Sequence, residues 1–275
     1  MGLCSLHREQ RAEWMGISPS RLFESITHLS GILRDLEDMG IHVEIGDDFA
    51  KYRAYRAQHP DRGPIYPMFD VASSYIDFTN GFWICGFDPD GKLMHTQAVR
   101  NLDMSGISLA RHLEIHRHKY ITPDSTPDPD NTFYSGPQAL GSITGDVCYH
   151  GEFWLHARGL GGPRSQGATS LLSRILFEIM VGTWEPSFVF ALVPKQLGAK
   201  GAHLRYGYTH CEPGQWLGPD KQVTEEDYLI WMTSKDMANM LAKPHQSHRR
   251  ASSLPSVAVN GSIKTNGHLT ERENV

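Results

Sequence analysis

The stretch from residue 146 to residue 193 constrains the fold more than any other part of the chain. Asp146 to Leu160 alternates polar and apolar side chains, as a strand with one covered face does. A glycine-rich turn follows, then apolar residues at helical spacing from Ala168 to Met180, then the continuous apolar run Phe188 to Val193. Strand, helix and strand in this order predict a βαβ unit whose two strands run in the same direction.

The turn inside this unit has the features of a phosphate site. Backbone N–H groups in the first turn of a helix have no partner within the helix, so they are free to hold an anion. Arginines beside the turn would add charge-assisted hydrogen bonds to phosphate groups. The predicted anion-binding residues are Arg158, Arg164, Gln166, Gly167, Ala168 and Thr169.

Other segments are predicted from their local patterns. Ser18-Pro19 is a good helix start, and the helix it begins should end near Gly40. Residues 82–87 and 93–101 flank a turn sequence and predict a β-hairpin. Residues 122–145 and 211–220 read as loops, and residues 228–233 as a final strand. The helix carries an apolar stripe, typical of core or partner packing, made of Leu22, Ile26, Leu29, Leu33 and Leu36.

Composition excludes some classes of function. The net charge is −5 and charged residues make up 21% of the chain, with no basic patch interleaved with aromatics, so binding to nucleic acid is not expected. The four cysteines are far apart and form no C-x-x-C pair, which favours a reduced setting. No apolar run approaches the length of a membrane span. We therefore expect a cytoplasmic protein without membrane contact.

A second site hypothesis comes from histidines on a predicted helix over residues 107–120. His112 and His116 lie four residues apart, on one helical face, and His118 is close by; such a group could bind zinc in a metal-dependent hydrolase. The glutamate between the first two is one position late for the H-E-x-x-H pattern. Because the chain has 15 histidines, chance pairs at this spacing are expected, and the sequence predicts no metal site.

Two motifs resemble a known superfamily. Arg164 to Thr169 resembles the Q/R-x-x-G-x-G/A motif of the GCN5-related N-acetyltransferases, with Thr169 where glycine or alanine is usual. Tyr206-Gly207-Tyr208 resembles the aromatic-Gly-aromatic sequence that follows in these proteins, with His203 where a tyrosine acid is usual. The resemblance covers residues 80–235. It implies an α/β fold with a mixed, mostly antiparallel sheet, a central parallel strand pair and flanking helices.

The resemblance also implies a reaction. An amine of a small molecule or peptide would attack the thioester of acetyl-CoA or a related acyl-CoA, with the pantetheine lying along Leu155 and Ala157. Glu152, His156 and His203 are the predicted catalytic residues. Glu152 and His156 are separated by about 13 Å along a strand, so only one of them can be the direct base, and Glu152 is favoured. A module that binds or senses acyl-CoA without turnover is the alternative.

The domain organisation follows from the same resemblance. Residues 76–242 would form the acyl-CoA N-acyltransferase core. Residues 1–75 would add helices and a first strand packed on that fold, and residues 243–275, which are polar, would form a disordered tail. A homodimer is compatible with this organisation, and the acceptor amine is left open.

Overall fold

A computed structural model describes residues 18–121, 128–156 and 162–243. These residues form one eight-stranded sheet, in which every neighbouring pair is antiparallel except the fifth and sixth strands. This is the mixed sheet with one central parallel pair that the resemblance implied. The strands are β1 (His42–Gly46), β2 (Gly81–Phe87), β3 (Leu93–Met104), β4 (Phe133–Ser135), β5 (Gly145–Leu155), β6 (Phe188–Pro194), β7 (His210–Leu217) and β8 (Val223–Thr233), in the order β1-β2-β3-β5-β6-β8-β7-β4.

Helices flank the sheet, and local chemistry sets several of their ends. Asp48 accepts hydrogen bonds from two first-turn N–H groups of one helix, and Thr233 and Asp236 form a capping box at another. The helix predicted after Ser18-Pro19 is confirmed. The helices are α1 (Pro19–Asp38), α2 (Phe49–Arg56), α3 (Leu109–His116), α4 (Ala168–Trp184), α5 (Lys195–Gly198), α6 (Ala202–Tyr206) and α7 (Ser234–Leu241).

The predicted βαβ unit and hairpin are both present. β5, α4 and β6 follow one another, and the two strands pair in parallel from Val147 with Phe188 to Tyr149 with Phe190. β2 pairs with β3 in antiparallel fashion. β1 adds to the outer side of β2, so residues before position 76 contribute a strand to the sheet.

The sheet has a separate hydrophobic core on each side, because alternate residues of a strand point to opposite faces. The face covered by α1, α4, α6 and α7, here called the α4 face, buries Leu36, Leu172, Phe177 and Tyr208. The face covered by α2 and α3, here called the α2 face, buries Tyr52, Phe69, Tyr149 and Trp216. No helix in the described ranges is long and apolar enough to cross a membrane.

Two local predictions need correction. Residues 211–220 were expected to be a loop because of their proline and glycines, but β7 covers most of them and pairs with β8 along its length. Residues 122–145 were also expected to be a loop, yet β4 lies within them and pairs with β7. Pro213 lies in the part of β7 that β4 does not reach, since β4 pairs only with residues 215–217, and proline is tolerated in such edge positions.

The apolar stripe of α1 is covered over only part of its length. Ile32 and Leu36 are fully buried, whereas Leu22, Ile26 and Leu33 are 48%, 53% and 37% exposed. The helix thus packs on the sheet through its C-terminal half.

Candidate active site

β5 and β6 separate shortly after they begin to pair. Their three residue pairs end at Tyr149 and Phe190, after which β5 continues with β3 alone and β6 with β8 alone. In the part of the chain that is described, no pairing joins the two strands beyond that point. A gap therefore opens in the middle of the sheet, between the C-terminal halves of β5 and β6.

A β-bulge lies where the gap begins. Ala98 of β3 pairs with Gly151 and Thr96 pairs with Trp154, so one residue of β3 faces two residues of β5. Glu152, in the bulge, has a φ of 57°, a left-handed conformation that residues other than glycine rarely adopt. The Thr96 hydroxyl donates to the Glu152 carbonyl at 2.9 Å, which helps to hold the bulge.

The backbone of β5 after the bulge presents polar groups to the gap. The N–H of His156 donates to Met94 O of β3 at 2.8 Å, so the N–H groups of Leu155 and Phe153 point to the opposite edge, by strand alternation. Arg164 reaches that edge from the turn before α4 and donates to Leu155 O. The edge can hydrogen-bond an extended ligand or stabilise a developing oxyanion. Ala157, predicted to continue it, lies outside the described residues.

Glu152 is buried in an ion pair. Its Oε2 lies 2.6 Å from Arg56 Nε and 3.8 Å from Arg62 Nη2, and its Oε1 accepts the N–H of Tyr66 at 2.9 Å. The side chain of Glu152 is 1% exposed. The prediction that Glu152 is available as a base does not fit this arrangement, because both of its oxygens are already occupied. The sequence could not reveal the partners, which lie 86 to 96 residues away in the chain.

A group of rings and one guanidinium surrounds Trp154, near the end of β5. The ring of His59 is 5.1 Å from that of Trp154, the ring of His156 is 5.8 Å away, and the Arg62 guanidinium carbon is 4.5 Å from the ring centroid. Burial lowers the pKa of His59, which favours its neutral form. The structure thus brings the predicted residue His156 together with two side chains from the N-terminal segment.

The predicted phosphate turn has the expected backbone geometry. Gly167 precedes α4 with a φ of 88°, which suits glycine alone, and it provides no side-chain cap. The N–H groups of Ser170 and Leu171 donate to Gly167 O. Those of Ala168 and Thr169 have no acceptor within residues 18–121, 128–156 and 162–243, so they are free for an anion. Gln166 lies in the preceding 3-10 turn, and Arg158 falls outside the described residues.

α6 carries two candidate proton donors. His203, the predicted one, is half-buried, and its Nδ1 has no partner among the described residues. Tyr206 lies three residues later, with its ring 4.4 Å from that of Phe153 on β5. Burial raises the pKa of Tyr206, although the nearby Arg205 and Arg164 oppose the rise, so the phenol stays protonated at neutral pH. The aromatic-Gly-aromatic motif contained this residue, but the sequence did not indicate its contact with β5.

A cavity that the sequence did not predict lies near the C-terminal end of β6, lined by β7, β8 and residues 135–137. Its volume is about 390 Å³, within the range of small-molecule sites. Asp227 lines it opposite Pro194, the last residue of β6, and accepts a hydrogen bond from the Tyr134 hydroxyl at 2.7 Å. Burial raises the pKa of Asp227 to about 7, with a further contribution from Glu225, while hydrogen bonds from Tyr134 and Trp216 oppose the rise. The remaining charged lining residues are Lys195, Glu212 and Glu226.

Tyr149 ends the paired part of β5, and burial raises the pKa of its phenol well above the usual range. The charges of Glu152 and Asp227 add smaller contributions to that rise. Glu152 lies on β5, one wall of the gap, and Asp227 lies on β8, the strand next to β6.

The histidines considered for zinc have other partners. His112 is buried on α3, with its Nε2 2.9 Å from the Tyr120 hydroxyl, and burial lowers its pKa to about 4. His118 lies 3.3 Å from Asp130 at the surface. The residues that the structure describes contain no group of three or more histidine, cysteine or acidic side chains that could hold a metal ion. The hydrolase hypothesis finds no ligand set in these residues.

Comparison with known proteins gives only distant likenesses. No family profile and no curated sequence matches the chain. Among solved structures, a mutant of the spermidine N-acetyltransferase SpeG from Vibrio cholerae is 10% identical, with 72% of this chain and 96% of that chain covered and a TM-score of 0.39. FeeM, an N-acyl amino acid synthase from uncultured soil microbes, is 10% identical, with 82% of this chain and 91% of that chain covered and a TM-score of 0.33.

A third likeness is to the aminoglycoside acetyltransferase AAC(6')-Ib, in complex with coenzyme A and kanamycin. It is 12% identical, with 72% of this chain and 98% of that chain covered and a TM-score of 0.35. At these values the likenesses add nothing to what the sheet itself shows. The fold expected from the resemblance to GCN5-related N-acetyltransferases, a mixed and mostly antiparallel sheet with a central parallel pair between helices, is the fold of this chain.

Proposed function

We propose that this protein is an acyl-CoA-dependent N-acyltransferase that moves an acetyl or other acyl group to an amine. The observation that carries the proposal is the gap between β5 and β6. Backbone N–H groups of β5 line one edge of this gap, and the free N–H groups of Ala168 and Thr169 lie nearby at the start of α4. An extended ligand with a phosphate group at one end is complementary to this arrangement. Acetyl-CoA and related acyl-CoA molecules have that form.

The proposed coenzyme position follows the polar groups on the gap. The pyrophosphate meets the N–H groups of Ala168 and Thr169 at the start of α4, where the helix dipole adds about 0.3–1 kcal/mol. The pantetheine lies along β5 and hydrogen-bonds the edge at Phe153 and Leu155. Arg164 donates to Leu155 O, and we assign it to the phosphates because its guanidinium can form charge-assisted hydrogen bonds with them.

In the proposed reaction the acyl group passes directly from the coenzyme to the amine. The amine nitrogen attacks the thioester carbon, the C–S bond breaks, and the coenzyme leaves as a thiolate. An N–H of β5 stabilises the oxyanion, a base takes the proton from the amine, and an acid gives a proton to the thiolate. We assign the acid to Tyr206, which contacts β5, with the predicted His203 as the alternative.

The proposed base is Asp227. A carboxyl with a pKa of about 7 exchanges a proton at neutral pH, and this one opens into a cavity large enough for an acceptor. Glu212 and Glu226 also line that cavity, and Lys195 is paired with Glu226, so Glu212 and the ionised fraction of Asp227 favour an amine in its cationic form before deprotonation. His156 is the second candidate, and Glu152 becomes a residue that positions the bulge.

Acetyl-CoA binding tests the coenzyme site. At a hundred times its dissociation constant, acetyl-CoA should raise the melting temperature by about 5–11 °C. Gly167→Ala should remove most of this rise, whereas Gly106→Ala should keep it. Both glycines have nearly the same φ, 88° and 86°, so the two variants carry the same backbone strain and differ only in location. The proposal fails if acetyl-, propionyl- and longer acyl-CoA at millimolar concentration all leave the melting temperature unchanged.

Turnover separates an enzyme from a binding module. We expect coenzyme A thiol to be released from acetyl-CoA when a panel of primary amines is supplied. Tyr206→Phe should slow this release about a hundredfold or more, and His203→Ala should slow it much less. Acyl-CoA binding without thiol release across a broad amine panel would favour the sensing module instead.

A further inference from the structure

The group around Glu152 holds more positive than negative charge. Arg56 and Arg62 are 5% and 10% exposed, and both face the one carboxylate of Glu152, which is 1% exposed. Arg56 donates through Nε to Glu152 at 2.6 Å and through Nη2 to the carbonyls of Gly63 and Pro64. Arg62 lies farther away, at 3.8 Å. One arginine therefore satisfies the carboxylate, and the other shares that same carboxylate at a longer distance, with no second acidic partner among the described residues.

Arg62 also has an unused donor. Its Nη1 is buried and has no hydrogen-bond partner among the residues that the structure describes. Burial lowers the pKa of Arg62 to about 10, with Arg56 adding to the effect and Glu152 opposing it, so the guanidinium is still charged at pH 7. An isolated buried charge is costly unless it is paired and hydrogen-bonded. A bound anion would supply both the charge and the acceptor.

The other groups near Arg62 do not provide that anion. The Tyr52 hydroxyl is buried without a partner in the described residues, and it would donate to an anion rather than replace one. His59 is half-buried and lies 4.0 Å from Asp61, whose own carboxylate is 81% exposed. On the remaining side, the Trp154 ring lies against the guanidinium. The unused donors of Arg62 and Tyr52, with the Trp154 ring beside Arg62, are complementary to one oxyanion.

We propose that Arg62 binds a carboxylate of the acceptor, so that the acceptor is an amine that also carries a carboxylate group. The proposal rests on the proposed function for the nature of the acceptor. Arg62 stacks on Trp154, two residues after the bulge where the gap begins, which puts the anion subsite on the α2 face beside the proposed reaction centre. The amine would reach the acidic cavity at Asp227 while the carboxylate is held at Arg62.

The anion subsite can be tested without acyl transfer. Melting temperatures are measured in sodium phosphate and in sodium chloride of equal ionic strength, for the wild type and for Arg62→Met. Phosphate should raise the melting temperature of the wild type more than that of Arg62→Met, because the variant keeps the proposed phosphate turn at the start of α4 but lacks the guanidinium. Arg53→Met, which removes a half-exposed arginine of α2, is the control and should respond like the wild type. Equal responses in the wild type and in Arg62→Met would overturn the subsite.

A second variant covers the case in which Arg62→Met does not fold. Arg62→Lys keeps the charge but lacks the second donor, so it should show a weaker phosphate response than the wild type. A response of Arg62→Lys as large as that of the wild type would show that the guanidinium is not needed, and would overturn the proposal.

Kinetics test the assignment to the acceptor. Amino acids and their amides are compared as acceptors with acetyl-CoA, and kcat/KM should favour the free carboxylate roughly tenfold to a hundredfold. Arg62→Met should remove that preference and leave the melting-temperature rise with acetyl-CoA unchanged. Transfer without preference for the carboxylate overturns this inference alone, as does weaker acetyl-CoA binding by Arg62→Met, which would assign the anion to the coenzyme. Absence of any acetyl-CoA effect on the wild type instead overturns the proposed function.

Discussion

Glu152 and Asp227 are two buried carboxyls on the same face of the sheet, but their surroundings differ in charge. Glu152 faces two arginines and a backbone N–H, whereas Asp227 accepts a hydrogen bond from a neutral tyrosine and lines a cavity with two other acidic side chains. Burial alone therefore does not determine what a carboxyl can do. A carboxylate enclosed by arginines serves as an anchor, and one without a cation has a pKa of about 7 and can exchange protons.

The largest expected effect comes from removing the proposed base. Asp227→Asn should lower kcat for acyl transfer by about 10²–10⁴-fold, the usual contribution of a general base. The variant should still bind acetyl-CoA, because the proposed coenzyme site lies on β5 and at the start of α4. The measurement is thiol release from acetyl-CoA at saturating amine. A variant that keeps wild-type kcat would show that Asp227 is not the base and would move the assignment to His156.

The second largest effect concerns the buried ion pair between Glu152 and Arg56. Arg56→Met leaves Glu152 buried without its closest partner, so the free energy of unfolding should fall by about 3–5 kcal/mol. Arg53→Met on the same helix removes a half-exposed side chain that pairs with Asp70, and should change it by less than about 1 kcal/mol. Urea unfolding of the wild type and both variants gives these values. If Arg56→Met and Arg53→Met lower the free energy of unfolding equally little, the ion pair of Glu152 does not stabilise the fold, and the contrast with Asp227 disappears.

The third effect is a pH dependence with a defined sign. The pKa of Asp227 is raised in the folded protein to about 7, from an ordinary value of 3.8, so between these values the folded state binds more protons than the unfolded state. Asp227 therefore favours folding fully below pH 4, and this contribution declines as the pH rises towards 7, by up to about 4 kcal/mol in total.

The comparison of the wild type with Asp227→Asn isolates this dependence. The difference between their free energies of unfolding should shift in favour of the asparagine variant as the pH rises from 4 to 7, and should level off above pH 7. A difference that stays constant over this range would mean that the carboxyl titrates normally.

The smallest effect sharpens the role of the tyrosine beside Asp227. The hydrogen bond from Tyr134 lowers the pKa of Asp227, so Tyr134→Phe should raise that pKa, by up to about one unit for a bond worth roughly 1 kcal/mol. The acidic limb of the pH–rate profile should move to higher pH by the same amount. Tyr55→Phe, which removes a hydroxyl that donates to Glu44 on another element, should leave the profile in place.

Much of the sheet could be predicted from the sequence. The alternation in β5, the helical spacing of α4 and the apolar run of β6 fixed the βαβ unit, because burial imposes these periods on each element. β7 could not be predicted, since its proline and glycine residues are typical of loops and only pairing with β8 and β4 makes them a strand. The three-residue strand β4 is too short to leave a periodic signal of its own.

The candidate site was predictable to a lesser extent. The turn at Gly167 could be predicted, because a glycine-rich link between a strand and a helix has few possible conformations. The role of Glu152 could not, since strand alternation placed its side chain on the right face but could not reveal Arg56, Arg62 and Tyr66. Asp227 gave no signal, because its sequence neighbours are acidic residues typical of an exposed strand, and its burial results from contact with β4.

The sequence by itself thus determined the glycine turn that we propose as the phosphate site and the strand that precedes it, because both depend on backbone conformations encoded by neighbouring residues. Only the tertiary structure decided where β5 and β6 separate. It also decided that Glu152 is paired with arginine, whereas the pKa of Asp227 is raised by burial. These properties depend on charges and hydrogen bonds between residues far apart in the chain. Local sequence patterns carry no information about such contacts, and the electrostatics of a buried group depend on them entirely.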